Sequence, residues 1–106
     1  LGRDRLVHAR AMIDGTPVDF VVDTGATRTV LSGRDARQVF GQAGGQQIGR
    51  IQTFKGYQPL YQGQARTVTL GAVQLHDVPI GLVPDSQVSV LGLDWLALVG
   101  PVTLVS

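Results

Sequence analysis

Apolar and polar residues alternate along much of the chain, a pattern typical of strands that bury one face. Residues 6–13 and 18–22 are expected to form a hairpin, because the Asp14-Gly15 pair between them tolerates the positive φ angles of a two-residue turn. Similar stretches predict further strands over residues 67–70, 73–83, 88–91 and 102–105. The sequence therefore favours a mostly β domain.

Two short segments carry the end signals of helices instead. Residues 32–40 begin with Ser32, whose hydroxyl can cap a helix, and Asp35 follows three residues later as in a capping box. A glycine comes directly after this segment, where a left-handed residue often ends a helix. Residues 93–99 form the second predicted helix, which a Gly-Pro pair stops.

The middle of the chain predicts a loop followed by a long hairpin. Residues 41–49 are rich in Gly and Gln and are expected to be a loop. Residues 50–66, with Gly56 between two mixed stretches, are expected to form a mobile hairpin. A hairpin, a buried strand, a glycine and a helix also occur twice in that order, around Gly25 and around Gly92. This weak repeat favours a two-fold pseudo-symmetric β domain.

Composition limits the classes of function. The chain has 106 residues, enough for a single domain over residues 1–106, and its 43% hydrophobic and 16% charged residues indicate a globular protein. The formal net charge is +1 without a basic stripe, so no nucleic-acid partner is expected. Cysteine is absent and the two histidines, His8 and His76, are isolated, so neither a disulfide nor a metal site is expected.

Segments that would reveal the compartment are not evident. The sequence has no run of about 20 apolar residues that could span a membrane, and no signal peptide. It begins at Leu1 and not with Met, which is consistent with a domain excised from a longer chain. The residues themselves therefore leave the localisation open.

The sharpest chemical feature is Asp23-Thr24-Gly25, which directly follows the apolar residues 20–22. Peptide hydrolysis by paired carboxylates needs each carboxylate at the end of a rigid strand, where two groups about 3 Å apart share one proton. A neighbouring hydroxyl can hold the loop, and a glycine lets backbone approach the carboxylate. An ordinary turn is the alternative explanation, since Asp, Thr and Gly are common turn residues. A second apolar-apolar-glycine element at residues 90–92 favours the catalytic interpretation.

The residues around Asp94 suggest structure more than chemistry. Asp94 opens the second predicted helix, where the helix dipole favours a carboxylate, so it is expected to be a structural cap or a tie to a loop. Trp95 is the only tryptophan, and packing in the core or at an interface is expected of it.

Residues 21–26, Val-Val-Asp-Thr-Gly-Ala, and residues 90–92, Val-Leu-Gly followed by a helix, carry a family resemblance. Over nearly its whole length the chain resembles the retropepsin-like, retroviral-type aspartic proteases, including their bacterial members. The resemblance implies a retropepsin-like acid protease fold, with a closed, β-barrel-like monomer that has two short helices and assembles as a two-fold dimer. It also implies an aspartic endopeptidase that acts on polypeptides without a cofactor or metal, and it permits a bacterial membrane-tethered, periplasm-facing domain.

The resemblance further assigns roles to individual residues. Asp23 is implied to be the catalytic aspartate, Thr24 to join a hydrogen-bonded lock across the dimer axis, and the Gly25 carbonyl to accept a hydrogen bond from the substrate backbone. Leu96 is implied to pack beneath the catalytic loop. The implied flap covers residues 53–61. The implied substrate-binding residues are Ala26, Thr27, Thr53, Phe54, Lys55, Gly56, Tyr57, Val88 and Val90.

Two departures separate the chain from the viral members it resembles. Viral members carry an acidic residue where Thr27 stands and an arginine where Leu93 stands, and these two residues form an ion pair. Both charges are missing here, so neither is left unpaired, and a looser dimer is expected. The tip of the flap, near Lys55-Gly56, also lacks the viral glycine-rich run.

The number of aspartate motifs determines the expected assembly. The chemistry needs two aspartates and the sequence has one Asp-Thr-Gly, so the chain is expected to pair with a copy of itself about a two-fold axis. Residues 102–105 would find strand partners at that interface, and residues 6–9 are a weaker candidate. Two alternatives stay open: a catalytically silent dimeric binding module of the same fold, and a small-ligand-binding β-barrel in which Asp23 is only a turn residue.

Overall fold

The computed structural model describes residues 6–42, 44–53 and 55–99. The predicted strand over residues 102–105 lies outside these ranges. Within them, neither helix is long and apolar enough to cross a membrane. The elements in chain order are β1 (Val7–Ile13), β2 (Thr16–Val22), β3 (Val30–Ser32), α1 (Gly33–Phe40), β4 (Gln46–Thr53), β5 (Gly56–Leu70), β6 (Val73–Val83), β7 (Val90–Leu91) and α2 (Leu93–Val99).

The strands form one sheet that closes on itself. Their order is β1-β2-β7-β3-β6-β5-β4, and β1 also pairs with β5. Closure depends on the length of β5, whose 15 residues pair with β4 near the start of the strand, with β6 from Tyr61 onward and with β1 at its end. Six strands thus make a closed ring, and β4 projects from it as the outer arm of a hairpin. This confirms the predicted mostly β, barrel-like fold with two short helices.

Two crossed strand pairs give the ring an internal two-fold symmetry. β2 runs parallel to β7, and β3 runs parallel to β6. The two short strands β3 and β7 meet antiparallel at the Val30–Val90 pair. The sequence repeat had matched the strand before Gly25 with the strand before Gly92, and the structure corrects this pairing. Those strands are neighbours, and the equivalent of β7 is β3, a strand of only three residues that the alternation pattern did not predict.

The core fills the ring beneath the two helices. Trp95 is 1% exposed, its ring centroid lies 5.8 Å from that of Phe20, and its indole N–H donates to the Pro79 carbonyl at 3.1 Å. The core position predicted for Trp95 is therefore confirmed. A second, smaller cluster contains Val30, Leu60 and Val83, with Ile51 and Val90 packed against it.

Local signals positioned α1 and the first hairpin accurately. Ser32 Oγ accepts a hydrogen bond from the Asp35 amide at 3.1 Å, and Gly41 ends α1 with a φ of 79°. Asp14 and Gly15 both have positive φ, as the predicted turn requires. Several boundaries differ from expectation. The strand predicted over residues 67–70 is the end of β5, which begins at Gly56, and β2 begins at Thr16. β4 begins inside the predicted loop 41–49, and β7 is two residues long because residues 88 and 89 belong to the preceding loop.

Candidate active site

The candidate site is the loop over residues 23–29, which connects β2 to β3. The Asp23 amide donates to the Leu91 carbonyl at 3.0 Å, which continues the β2–β7 pairing by one residue. The Ala26 amide then donates to the Asp23 carbonyl at 3.0 Å and reverses the chain. Asp23 therefore stands at the end of a strand that has neighbours on both sides, and its backbone is fixed on β7.

The Asp23 carboxylate is oriented by its own loop. Its Oδ1 accepts a hydrogen bond from the Gly25 amide at 2.9 Å. A Cβ at position 25 would lie 3.2 Å from this oxygen, so glycine allows the close approach. Asp23, Thr24 and Gly25 are all exposed in the single subunit. The arrangement presents an oriented carboxylate at the surface, as a group that meets a partner or substrate would need.

The far end of the loop is held by Thr29 and Asp94. Asp94 Oδ1 accepts from the Thr29 amide at 2.9 Å, from the Thr29 hydroxyl at 2.7 Å and from the Trp95 amide at 2.8 Å. The Thr29 hydroxyl in turn accepts from the Gly92 amide at 2.9 Å, and the Leu93 amide donates to the Ala26 carbonyl at 2.8 Å. The loop is thus tied to residues 91–95 along its length, and Asp94 is the loop tie that its position predicted.

The pseudo-symmetric half of the molecule repeats this tie with different residues. The Ser89 hydroxyl donates to Asp35 Oδ2 at 2.5 Å and accepts from the Ser32 amide at 2.9 Å. Ser89 thus occupies the place of Thr29, and Asp35 that of Asp94. Sequence reasoning assigned no role to Thr29 or Ser89. The shared signal is a hydroxyl residue directly before the first residue of a short apolar strand.

The predicted flap is the end of the β4–β5 hairpin. Thr53 pairs with Gly56, and the Thr53 hydroxyl donates to the Gly56 carbonyl at 3.0 Å and accepts from the Lys55 amide at 3.1 Å. Gly56 has a φ of 100°, which favours glycine, and the Tyr57 side chain is 69% exposed. Phe54 lies outside the described residues. The tip is therefore a tight turn bounded by a hydroxyl and a glycine.

The two predicted pocket valines occupy different environments. Val90 is partly buried in the small cluster with Val30, which Ile51 of β4 also contacts. This cluster joins the β4–β5 hairpin, at Ile51 and Leu60, to the strand beside Asp23. Val88 lies on the preceding loop with 42% exposure. Ala26 and Thr27 belong to the Asp23 loop itself, and Leu96 packs against the main core.

Comparison with known proteins decides the family. The family model described as "gag-polyprotein putative aspartyl protease" matches residues 9–97, which is most of the chain and includes the whole Asp23 loop. The chain belongs to this family. Comparison with curated proteins finds no match.

Two solved aspartic proteases share the fold of this family member. The EIAV protease, solved in complex with the inhibitor HBY-793, is similar with a TM-score of 0.78 and 20% identity, covering 99% of this chain and 98% of that one. A retropepsin-like aspartic protease from Rickettsia conorii is similar with a TM-score of 0.73 and 20% identity, covering 92% and 83% of the two chains. The protein therefore has the retropepsin fold, and both viral and bacterial proteins share it.

Among the described residues of this family member, the ionisable groups with a shifted pKa, Arg10 and Asp19, lie on the β1–β2 hairpin and not on the Asp23 loop. Arg10 of β1 and Asp19 of β2 face each other across the hairpin, with Nε 2.8 Å from one carboxylate oxygen and a terminal nitrogen 3.1 Å from the other. Hydrogen bonding to Arg10 lowers the pKa of Asp19. Both side chains are well exposed, so the pair is a surface feature of the β1–β2 hairpin.

Proposed function

We propose that the protein is an aspartic endopeptidase whose active site forms when two copies bring their Asp23 carboxylates together. The observation that carries the proposal is the Asp23 carboxylate itself, exposed at the end of a central strand and oriented by the Gly25 amide. Family membership supports the same chemistry. A carboxylate serving only as a turn residue would not need a loop tied at both ends.

The reaction follows from two carboxylates that share one proton. The ionised carboxylate removes a proton from a water molecule, and the water oxygen attacks the peptide carbonyl carbon. The protonated carboxylate donates its proton to the carbonyl oxygen, which gives a tetrahedral intermediate. The carboxyl that took the water proton then passes it to the amide nitrogen, the other carboxylate takes a proton back from a hydroxyl of the intermediate, and the C–N bond breaks to give a carboxylic acid and an amine. Activity should rise and fall with pH, because either loss or gain of the shared proton leaves the pair in the wrong state.

The residues around Asp23 are proposed to bind the peptide substrate and to hold the two Asp23 loops together. In the proposal, Thr24 holds the two loops together across the two-fold axis, and the Gly25 carbonyl accepts a hydrogen bond from the substrate backbone. Ala26 and Thr27 form the floor of the cleft. The hairpin tip at residues 53–57 covers the peptide, with Tyr57 free to contact it, and Val88 and Val90 supply apolar walls.

A second copy is required because each chain has one Asp-Thr-Gly. A two-fold axis beside Asp23 would place the same exposed loop of each subunit against its mate, which is an isologous contact. Leu93, whose amide is bonded to the loop at Ala26, is 45% exposed and would be covered by such a contact. An apolar residue there suits an interface that lacks the ion pair of viral proteases.

Replacing the carboxylate with an amide of nearly the same shape tests the proposal. Asp23→Asn should fold and dimerise, while cleavage of an apolar peptide library is lost at every pH. Dimer affinity should stay the same or improve, because the repulsion between two carboxylates is gone. Turnover and sedimentation would be measured for both proteins. Cleavage by Asp23→Asn at close to the wild-type rate would refute the proposal, and a wild-type dimer that cleaves nothing would support the silent binding module.

A further inference from the structure

Arg28 lies on the Asp23 loop, and none of the roles described above involves it. It lies between exposed Thr27 and buried Thr29, and the hydrogen bonds of Thr29 to Asp94 anchor the backbone directly after it. A Cβ at Gly92 would come within 2.7 Å of the Arg28 carbonyl carbon and oxygen, so this backbone lies tightly against the start of α2. The side chain of Arg28 therefore leaves from a rigid position on the loop.

The stem of Arg28 runs over Gly81 of β6. A Cβ at Gly81 would lie 3.4 Å from Arg28 Cδ, 3.0 Å from Val30 Cγ1 and 2.8 Å from Leu60 Cδ1. The absence of a side chain at position 81 thus leaves room for the methylene groups of Arg28 beside the small apolar cluster. That cluster includes Val90 and Ile51, which connect the strand beside Asp23 to the flap hairpin. Arginine commonly packs its stem on such a surface while the charged end stays in water.

The guanidinium of Arg28 has no carboxylate partner among the described residues. The acidic side chains nearby in the sequence already have other partners. Asp23 accepts from Gly25, Asp94 from Thr29 and Trp95, and Asp35 from Ser89. A positive charge with five donors is therefore available on the exposed Asp23 loop, five positions after Asp23, on a stem that packs over Gly81.

We propose that Arg28 is a specificity-determining residue that selects peptides with a glutamate or aspartate close to the scissile bond. The inference rests on the proposed peptidase function and assigns its substrate class. A guanidinium binds a carboxylate through two parallel hydrogen bonds, and the apolar surface beneath the stem shields that contact partly from water. In a two-fold dimer each subunit contributes one Arg28, so an acidic residue is favoured on either side of the cleaved bond.

Matched peptides that differ only in Glu, Gln or Lys near the cleaved bond test this specificity. The wild type should cleave the Glu peptide with a kcat/KM about fivefold to tenfold above that of the Gln peptide, as expected for a partly shielded charged hydrogen bond. Arg28→Gln should remove the difference, and Arg28→Glu should favour the Lys peptide. The preference should shrink as salt is added, because the contact is electrostatic.

The matched control is Arg34→Glu, which makes the same change in net charge at an exposed position on α1. It should keep the wild-type preference, which separates a local contact from general attraction of acidic peptides. An equal kcat/KM for the Glu and Gln peptides in the wild type would overturn the inference. A Glu preference that persists in Arg28→Glu would overturn it as well.

Binding to the Asp23→Asn protein separates this inference from the proposed activity. Fluorescence anisotropy measures how tightly the same labelled peptides bind to the Asp23→Asn protein and to the double variant that also carries Arg28→Glu. The comparison reports which peptides are preferred in the absence of cleavage. An acidic preference that depends on Arg28 supports the inference even if the wild type cleaves none of the peptides, a result that would count against the peptidase function alone. The absence of any acidic preference in this binding assay would contradict the role of Arg28.

Discussion

At the scale of single residues, the Asp23 loop depends on a small number of polar contacts that span the sequence. Asp94 Oδ1 alone accepts three hydrogen bonds, two of them from Thr29 on the loop. The Thr29 hydroxyl is fully buried and both donates and accepts. Because a buried donor that loses its partner is costly, these contacts stabilise the loop conformation as well as the fold.

Substitution of Asp94 should distinguish the role of its oxygen from the role of its charge. Asp94→Asn retains an oxygen at the Oδ1 position and should change the free energy of unfolding by less than about 1 kcal/mol. Asp94→Leu removes all three acceptor contacts and leaves the Thr29 hydroxyl without its acceptor, so we expect a loss of about 2–4 kcal/mol. Urea unfolding of both variants measures the difference. Equal destabilisation by Asn and Leu would show that the negative charge, and not the acceptor geometry, matters.

The sequence predicted best those features of the fold and of the Asp23 loop that depend on residues close together in the chain. The Asp23-Thr24-Gly25 turn, the Ser32 cap and the Asp14-Gly15 hairpin each depend on neighbours within a few positions, which a pattern can identify. The Thr29 contacts join residues 63 and 65 positions apart, and no local signal marks such a pair. The catalytic and substrate-binding roles of the named residues stay predictions until activity is measured.

At the scale of elements, the ring and the β4–β5 hairpin differ in how firmly they are held. The second half of β5 lies between β6 and, at its end, β1, whereas β4 pairs with β5 alone. All residues of β4 are exposed except Ile51 and Thr53, which are partly buried. Few buried contacts at the hairpin are typical of a segment that opens locally, as a flap must.

Hydrogen exchange in the ligand-free protein should report this difference within one strand. Amides of β4 and of the first residues of β5 should exchange faster than amides of Thr67 to Leu70, which lie in the closed ring. Because the first and last residues of β5 are measured in one sample at the same pH, a difference between their exchange rates reports a difference in local structure. Uniformly slow exchange from Gln46 to Leu70 would contradict a mobile flap.

The limits of element prediction have a physical origin in strand pairing. β4 contains three Gln residues and one Gly, and it forms a strand because β5 offers it a partner, which composition does not reveal. β7 is shorter than predicted because Ser86 exchanges hydrogen bonds with Val88 and turns the chain before Val90. Helix α1 was predicted well, since its ends depend on the local capping residues Ser32 and Gly41, and the bounds of α2 agree with the predicted residues 93–99.

At the scale of the whole molecule, the described strands of one subunit close into a ring, whereas the proposed active site needs a second copy. The strands close into a ring around a core that includes Phe20 and Trp95. The Asp23 carboxylate, by contrast, lies exposed on the surface, where the Gly25 amide of its own loop donates a hydrogen bond to it. If the active site forms between two copies as proposed, folding and catalysis should respond differently to assembly, because the described core lies within one chain.

Mixing wild-type chains with Asp23→Asn chains at constant total concentration tests the shared site most directly. If each active site needs Asp23 from both copies and the chains associate at random, an equal mixture should retain about a quarter of the wild-type activity, since only that share of dimers has two aspartates. Mixtures would be assembled from unfolded chains so that all pairings form. The account predicts that activity falls with the square of the wild-type fraction. A linear fall, with half the activity in the equal mixture, would show that each subunit acts alone and would contradict an active site formed by two copies of Asp23.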